Sequence, residues 1–202
     1  MELLLATISA AVVIGFLLNG RLADLSGLEI RWAGLAIAGL CLQLVSGPGI
    51  AVPVACLSLS FVVLSIFAVV NLRVVGFPLI LAGVALNAFV IGLNQGMPVS
   101  ERALVATGRI ATIDALTHAP PPKHHLATRD DVAMFLGDVI AVPRPIAQAI
   151  SVGDVLTYAG IGVVIVAGMR ASVLRRGEGA DDRAPFDDEP AALERLGAEP
   201  PP

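Results

Sequence analysis

WAGLAIAGLCLQLVSGPGIAVPVACLSLSFVVLSIFAVVNL, residues 32–72, runs from Trp32 to Leu72 without one charged side chain. The hydrocarbon core of a bilayer is ~30 Å thick and is crossed by about 20 helical residues, so a run of this length fits two passes. In its middle Ser46-Gly47-Pro48-Gly49 clusters turn formers where a chain can reverse. The stretch therefore predicts a helical hairpin in a membrane.

The rest of the chain agrees with that reading. Of 202 residues, 56% are hydrophobic and only 15% charged, whereas ordinary globular domains carry about 25% charged residues. Aromatic residues make up 4%, so the apolar mass is Leu, Ile, Val and Ala, which let helices approach closely in lipid. A net charge of −4 without clustered Lys and Arg excludes nucleic acid as a partner. Cys41 and Cys56 both lie in the apolar run without metal-ligand spacing, and they read as helix-packing or lipid-facing residues.

Counting uncharged apolar runs predicts an all-α, polytopic helical bundle of about five spans, near residues 3–18, 32–47, 50–70, 74–93 and 150–169. The first run follows Met1-Glu2, has no basic leader and no small-residue cleavage site, and so reads as a retained span rather than a signal peptide. The second is short and needs flanking residues or a thinned bilayer to cross. Arg21 and Arg31 fall between runs one and two, Arg73 between three and four, and Arg170, Arg175 and Arg176 after five. Five alternating spans put all of these on one side, which the positive-inside rule makes cytoplasmic. The expected localisation is thus a bacterial plasma membrane, amino terminus outside and carboxyl terminus inside. Residues 94–149 become an exported loop, and 171–202 an acidic tail too poor in apolar residues to order itself.

Within the loop, Ser100 is a candidate N-cap for a helix from Glu101. Ala103, Ala106, Ile110, Ile113 and Leu116 step by three and four, predicting one amphipathic helix. Pro120-Pro121-Pro122 ends it. Thr128-Arg129-Asp130-Asp131 fits a capping box for a second short helix through Leu136.

Two constellations can carry chemistry. The Gly-Asp units Gly137-Asp138 and Gly153-Asp154 present two carboxylates, which acid hydrolases share a proton between. The competing structural reading has Ser151-x-x-Asp154 as a capping box opening the last helix, and Asp138 as a turn residue bonding to backbone. His118, His124 and His125, with Asp130 and Asp131 close behind, are candidate metal ligands by residue type. Adjacent histidines in a proline-rich loop, however, lack helical ligand spacing. In the apolar runs the polar inventory is Gln43, Asn71, Asn87 and Asn94 plus small hydroxyls, and membrane amides usually satisfy themselves across helix contacts. Asn87, four residues after Gly83, predicts such a contact. No phosphate loop, HExxH or GxSxG pattern occurs, and no cofactor is implied.

Asn94-Gln95-Gly96-Met97-Pro98-Val99, then Leu136-Gly137-Asp138-Val139-Ile140, then Ser151-Val152-Gly153-Asp154 form a distinctive series. Read in that order, they resemble a family of small bacterial integral membrane proteins known only as a domain of unknown function. Gly20-Arg21, Asn71, Gly76 and Asn87 are similar further positions, and the resemblance covers about residues 1–170. It implies a multi-span inner-membrane protein and transfers no activity or catalytic residue. Asn94, Asp138 and Asp154 are expected to converge over the outer mouth of the bundle. The expected partners are the lipid bilayer and another membrane protein. The leading functional reading is accessory or structural, binding a lipid or partner. The alternatives are a small-solute or ion permease, and a membrane-embedded hydrolase using Asp138 and Asp154.

Overall fold

The computed structural model describes residues 2–45, 54–118, 120 and 123–173. Five apolar helices occupy the five predicted runs: α1 (Glu2–Leu17), α2 (Ala33–Val45), α3 (Val54–Val70), α4 (Phe77–Asn94) and, last among the described residues, α7 (Val152–Met169). The Ser46–Gly49 turn, Pro121, Pro122 and the acidic tail beyond residue 173 lie outside the described residues. Among the described residues only α4 and α7, at 18 residues each, are long and apolar enough to cross a membrane. With 16, 13 and 17 residues, α1, α2 and α3 fall short of that length. At 1.5 Å rise per residue, α2 spans only about 20 Å. Five full spans are therefore not supported by helix length, and two are.

The helices pack as a chain of neighbours, α2 on α3, α3 on α4, α4 on α7 and α7 on α1. Among the described residues no comparable contact joins α1 to α2, so as described the ring is open on that side. The tightest seam, α4 against α7, is antiparallel and made by glycine. A Cβ on Gly83 would strike the Gly153 carbonyl, and one on Gly160 the Gly76 carbonyl. Each helix thus carries two glycines seven residues apart, which brings the backbones into contact. Gly76 also holds a left-handed φ of 101° before Pro78 in the first turn of α4, a conformation glycine adopts without steric cost. Phe77 and Ala68, with Val164, form the buried cluster at this lower end.

The lower end is tied by polar bonds. Arg21 N donates to Met169 O (2.7 Å). Asn71, buried at the end of α3, clamps a single distant residue: its Oδ1 accepts from Arg31 N (2.8 Å) and its Nδ2 donates to Arg31 O (2.9 Å) and Phe67 O (2.8 Å). Arg21, Arg31, Arg73 and Arg170 therefore gather at one end of the bundle.

At the other end, the described residues between 95 and 151 form a small roof that is not purely helical, which corrects the all-α expectation. Strand β1 (Met97–Val99) pairs parallel with β2 (His124–Leu126), and β3 (Ile140–Val142) pairs antiparallel with β4 (Gln148–Ile150). Three-residue strands carry too little alternation to be read as period two. The single amphipathic helix splits into α5 (Glu101–Thr107) and α6 (Ile110–His118), because Gly108 adopts a left-handed φ of 75° and ends the first. Ala103, Leu104 and Leu116 then face the roof's core, while Ala106 and Ile110 are exposed. Ser100 caps α5 as expected, accepting from Ala103 N. The helix predicted after Thr128 shrinks to one 3-10 turn at Met134–Leu136, preceded by Ala133 in left-handed geometry.

Candidate functional site

The capping box at the start of α7 forms as predicted. Ser151 Oγ accepts from Asp154 N (2.9 Å) and Asp154 Oδ2 accepts from Ser151 N (3.2 Å). Asn87, lying across the glycine seam, completes the set: its Nδ2 donates to Asp154 Oδ1 and its Oδ1 accepts from Ser151 Oγ, both at 2.8 Å. Asp154 thus has both oxygens engaged at the positive end of a helix dipole. Gly153 is required here, because a Cβ would collide with the Asn87 amide.

Asp138 behaves differently. Its backbone is paired, Asp138 N donating to Pro98 O (3.0 Å) and Asp138 O accepting from Ser100 N (3.1 Å). Among the described residues its carboxyl makes no hydrogen bond. The imidazole of His124 stands beside it, Nε2 at 3.7 Å, which is beyond hydrogen-bonding distance. The turn role expected for this side chain is therefore carried by its backbone instead. Gly137 fits against Pro98, whose carbonyl a Cβ at 137 would strike. Burial, reinforced by the charge of Asp154, raises the Asp138 carboxyl to about 8 although Lys123 opposes this.

Asp138 and Asp154 both line a cavity of about 650 Å³ between the helices and the roof. Gln43, Asn87, Lys123, His124, Thr157 and Tyr158 bring further polar groups to it, while Phe61, Leu64, Val84 and Ile161 supply an apolar floor. Arg109 stands at its edge, Nε donating to Ala147 O (2.8 Å). Lys123 Nζ donates to Gln43 Oε1 (3.2 Å), fastening the roof to α2. Its burial lowers the amine's pKa, partly offset by Asp154 and Asp138. His124 is pushed down to about 4 by burial and by its neighbours Lys123 and His125, so it is neutral at physiological pH. Leu4 of α1 and Leu40 of α2 flank the unpacked side of the ring. A second groove of about 580 Å³ between α1 and α7 holds Thr7, Tyr158 and Arg170 among otherwise apolar or glycine residues and has no carboxylate.

The other predicted positions go elsewhere. Asn94 does not reach the cavity. Its amide clamps Val132, accepting from Val132 N (2.7 Å) and donating to Val132 O (2.9 Å), the same device Asn71 applies to Arg31. Gly96 and Pro98 carry the chain from α4 into β1, with Pro98 in register with His125. The three histidines are separated, each beside its own carboxylate. His118 lies exposed with Asp114, His124 faces Asp138, and His125 Nε2 meets Asp131 Oδ1 at 2.9 Å. Asp131 also accepts from Thr128 N (2.6 Å). Burial would raise its pKa, but the Thr128 and His125 hydrogen bonds outweigh that and lower it. Among the described residues no three His, Cys, Asp or Glu side chains stand together as a metal set. Lys123, Arg109 and Tyr158 were not legible as site residues, although Lys123 and Tyr158 are the only lysine and the only tyrosine of the chain.

Fold and site together define a mostly helical protein with two membrane-length helices and a roofed polar cavity at one end of its helix bundle. The chain belongs to the family described as "Family of unknown function (DUF5317)", whose profile matches residues 25–166. It is similar to an uncharacterized protein of Thermotoga maritima, 32% identical over 155 residues, which cover 74% of this chain and 83% of that one. No solved structure matches it.

Proposed function

We propose that this protein resides in the bacterial plasma membrane with all five apolar helices embedded and binds a lipid or lipid-like amphiphile in the roofed cavity. The observation that carries the reading is the cavity itself: polar under the roof, apolar below, and unwalled between α1 and α2. Its volume lies within the range of small-molecule sites. Only 28% of the residues of α4 are buried, and Phe89, Ile37 and Leu59 expose more than half of their side chains. Water does not tolerate so much contiguous apolar surface on a monomer, whereas lipid does. Arg21, Arg31, Arg73 and Arg170 at the end opposite the roof support an amino terminus outside and an exported roof; the roof's own Arg102, Arg109, Lys123, Arg129 and Arg144 weigh less, because longer loops translocate largely regardless of charge. Helices shorter than 18 residues cross by thinning the bilayer locally or by borrowing flanking residues.

Binding is favoured over conduction because the polar lining stops at Phe61, Leu64, Val84 and Ile161, and the buried Ala68, Phe77 and Val164 fill the bundle below. Paired-aspartate hydrolysis is disfavoured because both oxygens of Asp154 are already held by Asn87 and Ser151. The test is native mass spectrometry of the purified protein after detergent exchange. A retained lipid is expected, and it should disappear when Leu4→Trp, on the side of α1 that borders the cavity and away from the α4–α7 seam, obstructs it. Protein that emerges free of lipid with an intact fold would refute the reading.

A further inference from the structure

Asp138 is the one acid in the cavity without a hydrogen bond, and only 9% of its side chain is exposed. Its oxygens are not sealed from the cavity, since among the described residues the one fully enclosed side-chain polar atom without a partner is Arg170 Nε, so the donor they lack must come from whatever fills the cavity. The charged and titratable groups that share the cavity with it are Asp154 and Tyr158 from α7, Lys123 and His124 at the start of β2, and Arg109 between α5 and α6. Lys123 is already committed to Gln43 Oε1, and His124 stands too far away to donate. The free valence is therefore that of a hydrogen-bond acceptor beside a second carboxylate, which suits a donor that also brings positive charge. At the cavity's edge Arg109 uses only its Nε on Ala147 O, which leaves the terminal guanidinium nitrogens to face an anion. Leu4 and Leu40 border the unwalled side, where chains can lie.

We propose that the cavity receives the head of an aminophospholipid from the outer leaflet, entering between α1 and α2. Its primary ammonium sits on Asp138, its phosphate faces Arg109, and its chains run past Leu4 and Leu40. This rests on the lipid-binding reading above and names the lipid class. Near neutral pH the carboxyl of the empty site holds a proton, so docking the ammonium forms a carboxylate–ammonium pair and releases that proton to solvent. One proton is released per lipid bound below about pH 8.

The test uses chain-labelled phosphatidylethanolamine, phosphatidylcholine and phosphatidylglycerol with identical chains, titrated into the full chain in detergent and followed by anisotropy. Phosphatidylethanolamine is expected to bind at least tenfold more tightly than either other lipid, since a quaternary ammonium has no N–H and glycerol has no charge. Its affinity should fall about tenfold for each pH unit below about 8, as expected when one proton must leave. Chain-free glycerophosphoethanolamine should compete at least a hundredfold more weakly, which separates a lipid from a soluble amine. Asp138→Asn should remove both the preference and the pH slope while melting no earlier than the unaltered chain at pH 7. The pH profile of the unaltered chain tests the same point without a variant. Equal binding of the three lipids, a preference for phosphatidylglycerol, or a flat pH profile would overturn the aminophospholipid assignment alone. Failure of every lipid to bind would overturn the broader reading as well.

Discussion

Asp138 and Asp154 share a Gly-Asp context and end up with opposite roles. Asp154 is consumed by a capping box and an amide, whereas Asp138 is buried with its carboxyl unbonded. That difference has a consequence for stability. A carboxyl raised from 3.8 to about 8 on folding keeps its proton only in the native state. Native stability therefore falls as pH rises from about 4 to about 8, then levels off. His124, lowered from 6.5 to about 4, works in the opposite direction between those two values, and the slopes cancel there. The net loss is confined to pH 6.5–8, with an upper limit of about 1.4 kcal/mol per pH unit, the value of one proton. Lys123, lowered from 10.5, offsets the loss at more alkaline pH. Thermal melts should drop across pH 6.5–8 for the unaltered chain and stay flat for Asp138→Asn. A Tm that climbs with pH through this window would contradict the burial assigned to Asp138.

Among the elements, the five apolar helices were legible because each run exceeds a dozen residues without charge, and the serine caps were legible because their chemistry is local. What was not legible lies in the roof. Gly108 could be read as a break only once its left-handed φ was seen, and β1 to β4 are three residues each, with β1 and β2 paired across two intervening helices. The α4–α7 seam was visible in principle, since Gly76 and Gly83 match Gly153 and Gly160 in spacing. Only the Gly83–Asn87 part of it was recognised. The seam makes a sharp contrast testable within one helix. A Cβ at Gly83 meets backbone of α7, while one at Gly92 meets open space. Gly83→Ala should cost about 1–3 kcal/mol through overpacking. Gly92→Ala should be neutral or stabilise by up to about 1 kcal/mol through helix propensity. Chemical denaturation in one detergent compares them, and equal effects would mean that the seam is looser than described.

At the scale of the whole molecule, the cavity joins residues that no local window connects. Gln43 and Lys123 are 80 positions apart, and Asn87 and Asp154 are 67 apart. The Gly-Asp units could be marked as candidates because they form a short pattern. Lys123 follows three prolines and has no pattern, so only the folded roof reveals it. The roof's expected side of the membrane follows from Arg21, Arg31, Arg73 and Arg170 beside the short connections at the other end, which count for more than the basic residues of the longer roof segment. An alkaline phosphatase inserted after Pro120 should be active in intact cells, and one inserted after Arg73 should not. The reverse result would invert the whole arrangement and place the cavity toward the cytoplasm.

The repeated glycines of α4 and α7 also pose a problem of phase. Two notches at the same interval on each rod allow three alignments, and sliding by one interval still leaves one notch matched. Shape alone is thus a ruler without a zero. In the alignment that pairs Gly83 with Gly160, Asn87 would be level with Leu156 instead of Ala149, seven residues further along the chain, and its paired bonds to Ser151 and Asp154 could not keep their present geometry. The hydrogen-bonded triad supplies the missing origin: it distinguishes the true alignment from its near copies and so sets how deep beneath the roof the cavity lies.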